Sequence, residues 1–298
     1  GYPPRDLLYD GDFVDQVLAA PQVLARQLSH RHARGPALVV GTLARPAAGE
    51  RAVDAGPRHP GLFDAALLID GGAVVAGRAK RLLPVYDVFY EPRWFVPGAG
   101  EPPIDWRGHR LGLLICEDLW DEDYAIRPAP SLCEAGADLL ICLSASPYRQ
   151  GVARHRRHHA VRAARLGVPL IYVNAVGAND ELIFDGGSFA LRPDGTTALE
   201  LPRFAEAVSV VDIATLQRDD GRDPTAAHAA TADGPPLTAT TATAAADGDS
   251  AELLAALTLG VRDFCRKNGV RRAFVGLSGG VDSALVLCIA ARALGAGA

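Results

Sequence analysis

The sequence predicts an α/β layered domain, then a linker, then the opening strand–loop–helix of a second α/β domain. Three observations carry this reading. Short apolar strands alternate with helical patterns and inserted hairpins as far as Ile213. The stretch Thr225–Asp249 is nearly all Ala, Thr, Asp, Gly and Pro with a single Leu, so it cannot bury a core. After it, a glycine loop separates a short apolar strand from an apolar helix.

Taken in order, residues 14–33 have the apolar period of an amphipathic helix, interrupted early by Pro21. Ala37–Gly41 reads as a short buried strand and residues 44–60 as a loop rich in Pro, Gly and Ala. Leu62–Ile69 and Ala73–Arg78 flank Asp70-Gly71-Gly72, a strong hairpin signal. Arg110–Ile115 is an apolar strand, and Ser131–Gly136 closes a short helix. Asp138–Leu143 is a strand, Val152–Leu166 a helix and Pro169–Asn174 a strand. Two further strand pairs are expected around Asp185-Gly186-Gly187 and Arg192-Pro193-Asp194-Gly195, with Val208–Ile213 closing the series. Beyond the linker come a helix over Ala251–Asn268, a strand over Arg272–Gly276, and a loop running into a helix over Ser278–Leu294. The expected division is therefore 1–213, 214–250 and 251–298, the last being the start of a domain.

Composition narrows the function classes. A hydrophobic share of 49% in 298 residues allows a substantial core and excludes wholesale disorder. No run approaches the ~18 apolar residues of a membrane span, and the first twenty residues lack a signal-peptide pattern. A net charge of −5 argues against a general nucleic-acid binder. The five cysteines are odd in number and form no CxxC pair, which fits a reduced, cytoplasmic protein. A chain of this length without methionine reads as a piece of a longer protein. Basic residues divide into 28 Arg and 2 Lys, which makes Lys80 and Lys267 stand out wherever a plain positive charge would suffice.

Cys116 follows the strand Leu111–Ile115 and precedes Glu117-Asp118-Leu119-Trp120. A thiol at a sharp turn after a buried strand is held rigidly yet reached by substrate, and the turn's amides can bind an oxyanion. Cys133, Cys142, Cys265 and Cys288 sit in apolar helix or strand patterns and read as structural. Lys80 lies just after a strand in Lys80-Arg81-Leu82-Leu83-Pro84-Val85-Tyr86. The basic stretch Arg154-His155-Arg156-Arg157-His158-His159, with Arg162 and Arg165, could suggest nucleic acid or metal. Helical spacing spreads these residues around the helix and no acidic ligand accompanies the histidines, so they read as a solvated or subunit-facing surface.

The loop Gly276-Leu277-Ser278-Gly279-Gly280-Val281-Asp282-Ser283 lets backbone approach a phosphate, with amides at the helix start pointing at the anion. It lacks the Gly-Lys-Ser/Thr of a Walker loop. It resembles the pyrophosphatase-type ATP loop, a resemblance that implies phosphate contacts from Ser278 and Ser283 and a Mg²⁺ ligand in Asp282. Leu259–Gly269 resembles the opening of an NAD synthetase domain rather than of other users of this loop.

The Lys-x-x-Leu-Pro segment, Leu113-Leu114-Ile115-Cys116-Glu117-Asp118-Leu119-Trp120 and Ser144-Ala145-Ser146-Pro147-Tyr148 together resemble the nitrilase (carbon–nitrogen hydrolase) superfamily. They are most similar to the glutaminase domain of glutamine-dependent NAD synthetases. Val173–Gly177 and Phe184–Phe189 belong to the same resemblance, which runs from Gly1 to about Ile213. It implies an αββα sandwich lacking its first strand and helix, and then the first strand–loop–helix of a doubly wound ATP-pyrophosphatase domain.

The chemistry it implies is a Cys–Lys–Glu triad. Cys116 attacks the carboxamide, Lys80 stabilises the oxyanion, and a glutamate expected just before Gly1 relays protons. Glu91 and Glu117 match secondary acidic positions and are not given that role. Tyr86 and Ser146 match glutamine-binding positions. Val152 stands where the family usually has Lys or Arg for the substrate carboxylate, with Arg154 the nearest cation in sequence. Val85 and Asp87 depart from the usual Asn and Gly.

The implied whole is a homo-oligomeric ligase. It takes ammonia from glutamine to amidate nicotinic-acid adenine dinucleotide, using ATP and Mg²⁺. No membrane or nucleic-acid partner is expected. Two alternatives stay open: an amidase fused to another ATP-loop ligase, and a dead nitrilase-like scaffold kept for assembly.

Overall fold

A computed structural model describes residues 2–31, 35–46, 60–217 and 248–295. After a short 3₁₀ turn at Arg5–Tyr9, helix α1 spans Gly11–Arg31. Strands β1 (Leu38–Ala44), β2 (Phe63–Asp70) and β3 (Ala73–Ala79) form an antiparallel sheet in that order. The β2–β3 turn works because Gly71 and Gly72 both adopt positive φ, +56° and +88°, where a side chain would be strained.

A second sheet holds β4 (Ile104–Trp106), β5 (His109–Ile115), β6 (Leu139–Ser144), β7 (Leu170–Asn174), β10 (Phe189–Leu191) and β11 (Thr197–Glu200). Its central strands β5, β6 and β7 run parallel; β4, β10 and β11 extend the edges antiparallel. The crossovers are α2 (Pro128–Glu134) and α3 (Val152–Ala164). A separate hairpin pairs β8 (Val176–Asn179) with β9 (Leu182–Asp185). The chain continues through α4 (Ile213–Gln217), α5 (Gly248–Lys267) and α6 (Val281–Leu294).

Strand alternation explains the layering. One face of the large sheet, with Leu114, Leu140, Cys142, Leu170, Tyr172 and Leu191, packs on Leu132, Ala160, Ala163 and Ala164 of the crossover helices. The other face, with Leu111, Leu113, Ile115 and Leu139, packs on Ala66 and Leu68 of the small sheet. Helix α1 packs on the small sheet, and its Val14 joins Leu8 of the preceding turn and Leu43 of β1 in one buried cluster. Helix, sheet, sheet and helix make the αββα sandwich that the family resemblance implies.

Four local expectations differ from the structure. Pro21 does not interrupt the first helix; it sits inside a continuous α1, where burial outweighs the one lost backbone bond. Asp185-Gly186-Gly187 is not a hairpin turn, because β9 turns back on β8 at residues 180–181 and Gly186-Gly187 link two different sheets. Val208–Ile213 forms no named strand, with Val208 and Val210 exposed and Ile213 opening α4. Arg272–Gly276 forms no strand either; no described strand lies beside it and Phe274 is 98% exposed. Most of the expected linker falls on residues 218–247, outside the described residues.

Sequence reading also missed that α5 packs on the layered domain. Ala256 and Leu259 meet Phe204, Tyr148, Val176 and Ile183. Asp263 accepts a bond from Ala178 N at 2.8 Å, and Gly177 beside it adopts φ +131°, a conformation strained for a side chain, with a Cβ position 2.7 Å from Asp263 Oδ2.

Candidate active site

Three parallel strands end together, and each delivers a polar residue to one cavity. The register Ile115↔Leu143 and Ser144↔Asn174 aligns Cys116, Ser144 and Asn174 along the C-terminal edge of β5, β6 and β7. Cys116 leaves its strand at φ +46° and begins a 3₁₀ turn over Cys116–Leu119. That left-handed conformation costs on the order of 1–2 kcal/mol in a non-glycine residue. It turns the thiol out of the sheet and into the cavity.

Asp118 holds the turn. Its Oδ2 accepts from Ile115 N at 3.0 Å, and its Oδ1 accepts from Arg81 N and Leu82 N at 2.9 Å each. One buried carboxylate thus clamps the thiol's turn to the segment carrying Lys80. Burial pushes Asp118 up to about 6, against these three amides and the nearby Lys80 charge.

Lys80 directly follows β3 and is 2% exposed. Its Nζ lies 2.7 Å from Glu91 Oε1 and 3.7 Å from Asp64 Oδ2. Burial opposes its charge, but Glu91 and Asp64 prevail, so Lys80 is held above its ordinary value and stays an ammonium. Asp64 is pushed up to about 6 by burial, which the Lys80 charge opposes. Tyr2 also donates to Glu91 Oε1. Burial raises the Cys116 thiol while Lys80 and Ser144 lower it, leaving it above the ordinary thiol value. At neutral pH the resting nucleophile is therefore a thiol that needs a base.

The cavity holds about 560 Å³ and is lined by Cys116, Lys80, Asp64, Ser144, Asn174 and Tyr2 among apolar side chains such as Phe13 and Val39. It brings together Cys116 and Lys80, the two catalytic candidates. Tyr86 does not line it: its hydroxyl donates to Glu117 Oε2 at 2.7 Å, and Tyr124 donates to Glu117 Oε1 at 2.9 Å. Ser146 stands just behind the wall, 6% exposed, with its N–H on Asn174 Oδ1 at 3.0 Å. The cation that reaches Ser146 is Arg156, through Oγ at 3.0 Å, and Val152 is 2% exposed.

Asp118, Asp64 and Asn174 escaped sequence reading. For Asn174 and Ser144 the signal was present, since each is the polar end of an apolar strand. The histidine stretch on α3 does gain an acidic neighbour from elsewhere in the chain. Glu122 lies 3.2 Å from His158 Nε2 and 3.3 Å from His159 Nδ1, and it also pairs with Arg162.

The glycine loop precedes α6. Ser278 Oγ and Ser283 Oγ lie 3.1 Å apart, Gly280 N donates to Ser278 Oγ at 3.4 Å, and Gly279 has φ +87°. Asp282 lies in the first turn of α6.

A family model for carbon-nitrogen hydrolase matches residues 12–220, and one for NAD synthase matches residues 253–298. The chain is 38% identical over 305 residues to the glutamine-dependent NAD(+) synthetase of Synechocystis sp., covering 99% of this chain and 50% of that protein. Among solved structures it is similar to the glutamine-dependent NAD+ synthetase of Acinetobacter baumannii in complex with ADP. There the TM-score is 0.76 at 30% identity, over 99% of this chain and 49% of that one. It is also similar to an amidase mutant from Nesterenkonia sp. AN1 that carries the acetamide moiety of fluoroacetamide on its active-site cysteine. That TM-score is 0.50 at 29% identity, over 68% of this chain and 69% of the amidase. The chain spans about half the length of the synthetases it matches.

Proposed function

The chain belongs to the carbon-nitrogen hydrolase family, and on that premise we propose that it is the amide-hydrolysing half, with the beginning of the ligase half, of a glutamine-dependent NAD(+) synthetase. The observation that carries the reading is the shared cavity of Cys116 and Lys80: a strand-end thiol facing a buried ammonium. The Nesterenkonia amidase, whose active-site cysteine carries a covalently added acetamide moiety, supports the nucleophile.

The thiol sulfur attacks the carboxamide carbon of glutamine, and the carbonyl electrons move onto oxygen. Lys80 stabilises that oxyanion, since Asp64 and Glu91 keep it charged and fixed before substrate arrives. Collapse expels ammonia and leaves a glutamyl thioester, which water hydrolyses. Because burial keeps Cys116 protonated at rest, its proton must pass to the leaving nitrogen. We assign that transfer to the family's glutamate, outside residues 1–298. Glu91 holds Lys80 and Tyr2 through Oε1, and Glu117 accepts from two tyrosines.

Tyr86 and Ser146 are proposed as glutamine contacts from the motif resemblance alone, since Tyr86 lies outside the cavity lining and Ser146 behind its wall. With Val152 in the usual cation position, the substrate carboxylate needs a partner other than residue 152. In the second half the loop residues fit a phosphate-bearing ligand. Their exposed amides, hydroxyls and Asp282 carboxylate lie at the start of α6, with open space around Gly279. Gly276–Ser283 would hold ATP phosphates, and Asp282 would help hold Mg²⁺, which supplies charge neutralisation on the phosphates. The reaction is amidation of nicotinic-acid adenine dinucleotide to NAD, with AMP and pyrophosphate as products.

The test is ammonia release and NAD formation by the complete protein. Glutamine-dependent NAD synthesis is expected; a complete protein that hydrolyses other amides but never glutamine would overturn the substrate assignment.

A further inference from the structure

We propose that an ion chain, buried at its Arg156–Asp185 end, ties the docking of α5 to the wall of the thiol cavity, making Arg156, Asp185 and Arg203 positioning residues for amide hydrolysis. The proposal rests on the hydrolytic reading of Cys116 and adds a control that this reading does not contain.

The chain begins at the cavity. Asn174 lines it, and Asn174 Oδ1 accepts from Ser146 N at 3.0 Å while Asn174 Nδ2 donates to Gly186 O at 3.0 Å. Arg156, on α3 and 3% exposed, grips the Ser146 segment from behind. Its Nε donates to Ser146 Oγ at 3.0 Å, and one terminal nitrogen donates to Ser146 O at 2.8 Å and Pro147 O at 3.1 Å. Its other terminal nitrogen lies 2.7 Å from Asp185 Oδ1. Asp185 is 0% exposed, and its Oδ2 accepts from Arg203 at 2.9 and 2.8 Å. Arg203 then makes a two-bond fork to Glu252 on α5, one bond at 3.0 Å. Cations and carboxylates alternate along the path; the Arg156–Asp185 link is a close ion pair without hydrogen-bond alignment, while the Arg203 links are hydrogen-bonded.

Two physical points make this more than a fastening. A buried ion pair adds little net stability over apolar residues of similar size, whereas its directional bonds fix placement. The carboxylate of Asp185 is also shared. If Glu252 leaves with α5, Arg203 has Asp185 alone to pair with and competes with Arg156 for it. Arg156 then loosens, and with it the Ser146 and Asn174 wall. Helix α5 carries most of the first turns of the region matched by the NAD synthase model, so the state of that region is conveyed to the hydrolytic cavity.

The experiment uses the complete protein with Glu252→Gln, Arg203→Gln and the double substitution. All sites lie outside the catalytic pair, and Arg203 and Glu252 side chains are each 25% exposed, so folding is expected to survive. The first readout is the rate constant for alkylation of Cys116 by chloroacetamide at 25 °C; the second is kcat/KM for glutamine. Each single variant is expected to lower both by about fivefold, and the double variant to go no lower than the lower single one. Unchanged alkylation with a lowered melting temperature would reduce the chain to a fastening and overturn the proposal, as would fully additive effects. If the unsubstituted protein is alkylated at Cys116 yet never hydrolyses glutamine, the hydrolytic reading fails while alkylation still decides whether the chain transmits.

Discussion

Asp118→Asn tests the clamp that sets Lys80 against Cys116. The side chain is 2% exposed and accepts three backbone amides, from Ile115, Arg81 and Leu82, at 2.9–3.0 Å. Asparagine is nearly the same shape but has one acceptor oxygen. If that oxygen faces Arg81 and Leu82, the new NH₂ meets the Ile115 N–H donor to donor. One bond to a charged acceptor is lost and a buried N–H is left unpaired, a cost of about 1.5–3 kcal/mol. At 2–4 °C per kcal/mol for a domain of this size, the melting temperature should fall by about 3–12 °C. Melting is measured at pH 7.5, above the raised Asp118 value of about 6, so that wild type carries the carboxylate. Because the clamp spans both catalytic segments, Cys116 alkylation should slow as well, measured well below the melting range. An Asp118→Asn protein with wild-type melting and wild-type alkylation would refute the clamp.

Lys80→Arg should retain the charge but place a broad planar group where an ammonium fits between Glu91 and Asp64. Glutamine turnover should drop by ~10²-fold or more, and near-normal turnover with a normal melting curve would remove Lys80 from the mechanism. Asp64, raised to about 6 from 3.8 chiefly by burial, supplies a pH signature. A carboxyl whose folded pKa lies above its unfolded one favours the fold when protonated. Its contribution is full below about 3.8 and lost as pH rises through about 6. Urea midpoints should therefore show the wild-type advantage over Asp64→Asn shrinking between pH 4 and pH 7; a growing advantage would reverse the sign of the argument. In the complete protein, Cys116→Ala should abolish NAD synthesis from glutamine and retain it from added ammonium. Asp282→Ala should abolish both, and ammonium-dependent synthesis surviving in that variant would refute the ATP-loop reading.

The layered fold was readable because strand and helix periods are local. Runs such as Leu111–Ile115 and Leu139–Leu143 need only their own apolar pattern to be recognised. What failed depended on which partner a segment pairs with, and composition does not reveal that. Asp185-Gly186-Gly187 has the composition of a hairpin turn, yet pairing of β9 with β8 puts the turn elsewhere. Arg272–Gly276 has strand composition and no described neighbour to pair with. Cys116 and Lys80 were legible from their strand ends and motif resemblance. Asp118 and Asp64 were not, because their roles come from contacts with other segments, 36 and 37 residues away for Asp118 and at Lys80 for Asp64. Arg156 lay in a stretch read as surface, and only the fold shows that it turns inward to Ser146 and Asp185.

The central claim is that Cys116 forms the covalent bond to the amide substrate. The most direct measurement exposes the complete protein to a chloroketone analogue of glutamine and maps the adduct by peptide mass spectrometry. A single adduct on Cys116 is expected. Cys142 is 0% exposed with its thiol raised well above the ordinary value, and burial pushes half-buried Cys133 up to about 11. An adduct on Cys133, Cys142, Cys265 or Cys288 with Cys116 unmodified would contradict the account.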